Sequence, residues 1–92
     1  MTAMGINRFV FSEVEIERLI KGVIPDAKVR AKDVTGTRDH FEVSIISNSF
    51  EGKSLVERHR QIYEALGSAV GGEIHALSIT ALTPAEVERR EQ

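Results

Sequence analysis

The chain of 92 residues contains no cysteine. It therefore forms no disulfide and has no thiolate with which to hold a metal on its own. No apolar run approaches the ~20 residues that a membrane-spanning helix needs. The N-terminal stretch MTAMGINRFVF has neither a basic start nor a long apolar segment, so no secretory signal is expected. A strong charge of either sign is also missing. Twelve Lys and Arg against 14 Asp and Glu leave a net charge of −2, which gives no bulk attraction to nucleic acid or to an anionic membrane. These absences point to a soluble intracellular protein, expected in the cytoplasm, with no membrane among its partners.

Catalytic signatures are missing as well. Ser47, Ser49 and Ser54 cluster, but no nucleophile-elbow pattern surrounds them, and serines before a helix usually act as caps. FEGKS contains Gly-Lys-Ser without the upstream glycine of a phosphate-binding loop. No internal repeat or low-complexity segment occurs. No enzymatic activity is expected.

What is present is ordinary globular composition, 41% hydrophobic and 28% charged. The length fits one domain with a thin core, expected over residues 12–90 after a leader at 1–11. Ser12 with Glu15 three residues on is a capping box, and Phe11 with Ile16 a hydrophobic staple. Ile16, Leu19, Ile20 and Val23 then mark one helical face. Pro25 stops that helix near Ile24. AKVRAKDV alternates Val29 and Ala31 with Lys28, Arg30 and Lys32, a strand with one apolar and one basic face. TGTRD supplies a turn, with Gly36 free to take positive φ. In HFEVSIIS, Phe41, Val43 and Ile45 share a face opposite His40, Glu42 and Ser44, so an antiparallel hairpin is expected. A second helix runs from about Ser54 to about Ala69, with Leu55, Val56, His59, Ile62, Tyr63 and Leu66 as its apolar stripe. Gly71-Gly72 breaks it. EIHALSIT is the third strand, and Thr83-Pro84-Ala85-Glu86 opens a short last helix. The link from strand two through the second helix to strand three has crossover length, which makes those strands parallel. The fold class is α/β: α-β-β-α-β-α, a three-stranded mixed sheet with both main helices on one face.

The chain has three histidines. On its pattern alone His59, between Arg58 and Arg60 on the second helix, reads as a partly buried structural residue. Arg58 and Arg60 point to either side of it and are available to a partner. His75 reads as a histidine at the rim of the core, with no second ligand at metal-site spacing. His40 follows the turn on the solvent side of its strand. The order of elements is similar to KH-type domains, but these clamp nucleic acid with a GXXG loop, and none occurs here. The basic stripe Lys28, Arg30 and Lys32 is the nucleic-acid candidate. The same charges equally protect an edge strand from aggregation.

Larger motifs carry a resemblance. FEGKSLVERHRQIYEAL followed by GGEIHALSITALTPAEV resembles the BolA family in three places: the Phe-x-Gly loop at Phe50 to Gly52, the Arg-His-Arg of the second helix and the His-Ala-Leu of the third strand. DHFEVSIIS agrees, and the likeness covers roughly residues 12–88. It implies a KH-like fold without the RNA clamp, and a partnership with monothiol glutaredoxins of the Cys-Gly-Phe-Ser type. The pair would bridge a [2Fe–2S] cluster, with thiols from the glutaredoxin cysteine and glutathione and an imidazole from this chain. That imidazole falls on His75, which the resemblance turns from rim residue into metal ligand. An imidazole in place of thiolate removes negative charge and raises the reduction potential. It also titrates near neutrality. The family often has a second His or Cys ligand in the loop between strands one and two. Thr37 or Arg38 stands there, and neither is an iron ligand, which leaves His40 as a secondary candidate. Arg58, His59 and Arg60 would help shape the docking surface. The partner expected is thus a monothiol glutaredoxin, with DNA as the partner in the rival reading of a transcriptional regulator; whether a second copy of the chain also pairs with it, as a homodimer, the sequence leaves open.

Overall fold

The computed structural model describes residues 12–36, 40–72, 74 and 76–90. Helix α1 (Glu13–Val23) starts where the Ser12 hydroxyl accepts the Glu15 amide hydrogen at 3.3 Å. It ends at Ile24, just before the proline, as expected. Phe11 of the staple and the 1–11 leader lie outside the described residues. Strands β1 (Lys28–Asp33) and β2 (His40–Ile46) pair antiparallel. Gly36, at φ 82°, turns the chain between them, and its amide donates to the Asp33 carboxylate at 2.9 Å. A short 3-10 turn (Asn48–Phe50) leads to α2 (Leu55–Leu66), and a second one (Gly67–Ala69) leads on towards β3 (Ala76–Leu82). β3 lies parallel to β2, which gives the order β1-β2-β3, and α3 (Pro84–Arg90) closes the described chain.

Register decides which face is buried. Val29 pairs with Ile45 and Ala31 with Val43; across β2, Val43 stands beside Ile79 and Ile45 beside Ala81. These side chains share one face and pack with Ile16 and Ile20 of α1 and Ile62 and Leu66 of α2. The other face carries Lys28, Arg30, Lys32, Glu42, Ser44, Ser78 and Thr80, all exposed. The α-β-β-α-β-α order and the mixed three-stranded sheet are as expected from the sequence.

Two expectations are corrected. α2 ends at Leu66, not near Ala69, because Gly67 at φ 59° takes a conformation that costs other residues a steric penalty. The supposed stripe of α2 is two adjacent rows of the helix surface, each with i, i+4 spacing. Residues 58, 62 and 66 form the buried row. Leu55 and Tyr63, in the next row, are 63% and 42% exposed, and Val56 beside them 65%.

Arg58 occupies the head of the buried row, so it does not point away from the fold. Its residue is 6% exposed. Its Nε donates to the Lys53 carbonyl at 2.9 Å and its Nη1 to the Ala81 carbonyl at 3.0 Å. Both terminal nitrogens meet the Glu86 carboxylate, at 2.7 and 3.1 Å. The guanidinium carbon stands 5.7 Å from the centre of the Phe50 ring, which is fully buried. Glu86 also accepts the Thr83 amide at 2.9 Å, while the Thr83 hydroxyl accepts the Glu86 amide at 3.2 Å. This is the capping box of α3, a helix with no buried residue of its own. A second polar tie joins the segment after α1 to the end of β2. Asp26 accepts from the Ser47 hydroxyl at 2.6 Å, the Asn48 amide at 2.9 Å and the Ser49 hydroxyl at 3.1 Å.

These ties make two predictions. Arg58→Ala should lower the unfolding free energy by roughly 2–3 kcal/mol, since it strands polar partners and removes a charged pair. Arg60→Ala, at an exposed neighbour, should change it by less than about 0.5 kcal/mol. Equal urea midpoints for the two variants would refute the anchoring role of Arg58. The Arg58 guanidinium, with the Thr83 amide, lowers the Glu86 pKa from 4.5 to about 2. Hydrogen bonds from Ser47 and Asn48 lower that of Asp26, and those from Ser54 that of Glu57. Depressed carboxylate values stabilise the fold above their unfolded pKa and lose that effect on acidification. The thermal midpoint should therefore fall between pH 4.5 and about 2, and Glu86→Gln should flatten that fall. An unchanged slope in Glu86→Gln would count against the latch.

Candidate partner-docking surface

α2 begins at Ser54, whose amide donates to the Glu57 carboxylate at 2.8 Å while its hydroxyl accepts the Glu57 amide at 3.1 Å. This capping box was legible as Ser-x-x-Glu and fixes the helix start. From there the Arg-His-Arg motif divides. Arg58 faces inward, His59 is half-buried and Arg60 is exposed. With Leu55, Val56 and Tyr63, His59 and Arg60 line an open depression of about 420 Å³. Its lining is mostly apolar, with one permanent cation, Arg60. Side chains expected in the core are thus on the surface, where contiguous apolar groups commonly mark an interaction site. The available signal was the width of the stripe, two rows where one fills the space over a sheet.

Beyond α2 the chain tightens towards β3. The Ile74 amide donates to the Ala69 carbonyl and the Gly71 amide to the Ile74 carbonyl, both at 2.8 Å. Ile74 is fully buried and bridges Val70. His75 follows it in sequence and lies outside the described residues, as do Thr37 and Arg38 of the β1–β2 turn. Ala76, the next residue, opens β3 and stands beside His40 in the parallel register. His40 is half-buried on the outer face, and its carbonyl accepts the Val34 amide at 2.9 Å. A shallow depression there is lined by Thr35, His40, Phe41, Ala76 and Ser78. The structure thus places His40 against the sequence neighbour of His75.

Among the described residues no group of three or more His, Asp or Glu is placed to hold a metal ion. With no thiolate in the chain, a cluster carried here would draw most of its ligands from elsewhere. Lys28, Arg30 and Lys32 are exposed on the outer face of β1, at about 6.6 Å intervals. Arg30 faces Ser44 across the sheet, and Lys32 faces Glu42, which offsets part of the positive charge. No helix among the described residues is long and apolar enough to cross a membrane.

Comparison with known proteins agrees with this architecture. SufE-like protein 1, chloroplastic/mitochondrial, of Arabidopsis thaliana is 44% identical over 75 residues, 82% of this chain and 20% of that protein. BolA-like protein 1 of Homo sapiens is 44% identical over 57 residues, 62% of this chain and 42% of that protein. The chain therefore spans well under half the length of these relatives. A solved bolA protein homologue from Coxiella burnetii superposes with a TM-score of 0.72 at 34% identity, covering 87% of this chain and all of that one. The model of the family described as BolA-like protein matches residues 12–86, from the cap of α1 to the glutamate that binds Arg58. By sequence, fold and motif together, the chain belongs to the BolA family.

Proposed function

We propose that the chain is a non-enzymatic adaptor that pairs with a monothiol glutaredoxin and helps ligate, regulate or transfer a [2Fe–2S] cluster. Family membership over residues 12–86 carries this reading. The donor set supports it. A chain without cysteine, and without a three-ligand group among its described residues, suits a role in which the partner and glutathione bring the thiolates. This chain would add the imidazole of His75. His40, next to Ala76, is the secondary candidate.

The docking surface proposed is the outer row of α2. Leu55 and Tyr63 provide apolar area, and His59 and Arg60 provide the polar edge. Arg58, which the sequence assigned to the same surface, serves it from within by holding α2 to β3 and α3. The compartment proposed is the reducing cytoplasm, where a glutathione-dependent assembly is sustained. The rival reading, DNA binding by Lys28, Arg30 and Lys32, has weaker support because Glu42 partly offsets the row.

Anaerobic mixing with a monothiol glutaredoxin, glutathione, iron and sulfide tests the reading. A heterodimer should form whose visible absorption and circular dichroism differ from those of the glutaredoxin homodimer. His75→Ala should abolish or alter that spectrum. Binding with a spectrum indifferent to His75 would remove the ligand and keep the partnership. Absence of any association would overturn the adaptor reading and favour salt-sensitive DNA binding. Separately, Leu55→Ser with Tyr63→Ala should weaken glutaredoxin binding by about tenfold or more while the thermal midpoint is kept. Unchanged affinity would move the docking surface away from α2.

A further inference from the structure

The two edges of the sheet are built differently. β1, at one edge, carries Lys28, Arg30 and Lys32; β3, at the other, reads ALSITAL and has no charged residue. Charges on an edge strand discourage pairing with another chain, and β3 has no such guard.

The hydrogen bonding of β3 shows which of its groups are open. The Ser47 amide donates to the Leu82 carbonyl, so Leu82 bonds towards β2. Alternate residues of a parallel strand bond to opposite sides, so Ala76, Ser78 and Thr80 also bond to β2. Leu77, Ile79 and Ala81 direct their N–H and C=O groups outward. At Ala81 this is visible, because its carbonyl is held by Arg58 at 3.0 Å. The outward groups of Leu77 and Ile79 meet no partner among the described residues. Among the described residues this edge is therefore short, hydrogen-bond-ready and uncharged.

We propose that β3 is a homodimerisation edge, at which a second copy of this chain adds its own β3 antiparallel about a two-fold axis at Ser78. This proposal is independent of the adaptor reading. Leu77 then faces Ile79 of the other copy, and Ile79 faces Leu77. Each pair exchanges both of its hydrogen bonds. The neighbouring register, centred on Ile79, would need the Ala81 carbonyl that Arg58 already occupies. Electrostatics choose the strand as well as the register. β1 paired with itself about Arg30 would set Arg30 against Arg30 and Lys28 against Lys32, whereas β3 meets only neutral residues. The product is a continuous sheet with β1 at both ends, each guarded by cations, so assembly closes at the dimer.

Ser78 provides the test, because it is exposed and faces away from the core. On the axis it meets its own copy as a non-hydrogen-bonded pair, with Cα atoms about 4.5 Å apart. That separation suits a disulfide, and the chain has no other thiol. Sedimentation equilibrium should show a concentration-dependent dimer of the wild-type chain. Ser78→Lys should weaken it at least tenfold, and an equimolar mixture of Ser78→Lys with Ser78→Glu should restore it. Oxidised Ser78→Cys should cross-link into a dimer, while Thr80→Cys, about 13 Å from its own copy in this register, should not. A wild-type chain that stays monomeric up to about 1 mM, a dimer indifferent to Ser78→Lys, or equal cross-linking at both positions would overturn the proposal.

Discussion

The structure depends on one buried cation. Arg58 is drawn out of water and costs desolvation energy that only good geometry offsets. The geometry is provided in full: two backbone carbonyls, a two-point carboxylate and an aromatic face. The partners come from three separate parts of the chain. Lys53 and Phe50 precede α2, Ala81 is in β3, and Glu86 is in α3. A domain of this size has too little apolar surface to join all of these by core packing. One forked guanidinium does so with directional bonds instead, and lysine, a point donor, would not substitute for it. α3 relies on this most, having no buried residue.

The family motifs acquire distinct physical roles in this light. The Phe-x-Gly loop places the Phe50 ring under the guanidinium and turns at Gly52, whose φ is 76°. The first arginine of Arg-His-Arg is scaffold. The histidine and second arginine are surface. Three consecutive residues of a helix point in three directions, so a contiguous motif need not be one site. The exposed surface of α2 is defined by what the buried row excludes.

Most of the fold was legible because its signals are local. Ser12, Thr83 and Gly36 act through neighbours within a few residues, and strict alternation in β1 and β2 fixes which side chains face inward. The end of α2 is also a local signal, at Gly67, but Gly71-Gly72 is the more conspicuous break in the sequence. The role of Arg58 was not legible, since its partners lie up to 28 residues away and arginines usually stay on the surface. The exposure of Leu55 and Tyr63 was missed for a related reason. Hydrophobicity marks what can be buried, while the space beside α1 and over β3 decides how much is. At His75 spacing alone indicates no metal site, and the ligand role proposed for it rests on the family resemblance, since a ligand set shared with another protein would leave no ligand cluster in one chain.

The same reasoning bears on the basic row of β1. Three cations in line on an exposed strand suit either a polyanion or an unpaired edge. A nucleic-acid site gains from every added positive charge and loses from each negative one nearby. Here Glu42 stands directly across from Lys32, and Arg30 faces only the hydroxyl of Ser44. An edge guard needs no net field, only charges that resist desolvation where another strand would dock. The β1 row meets the second requirement better than the first. The sheet thus has one edge made costly to approach and one left neutral, and it is the contrast between the two, more than either alone, that assigns interaction to the β3 side.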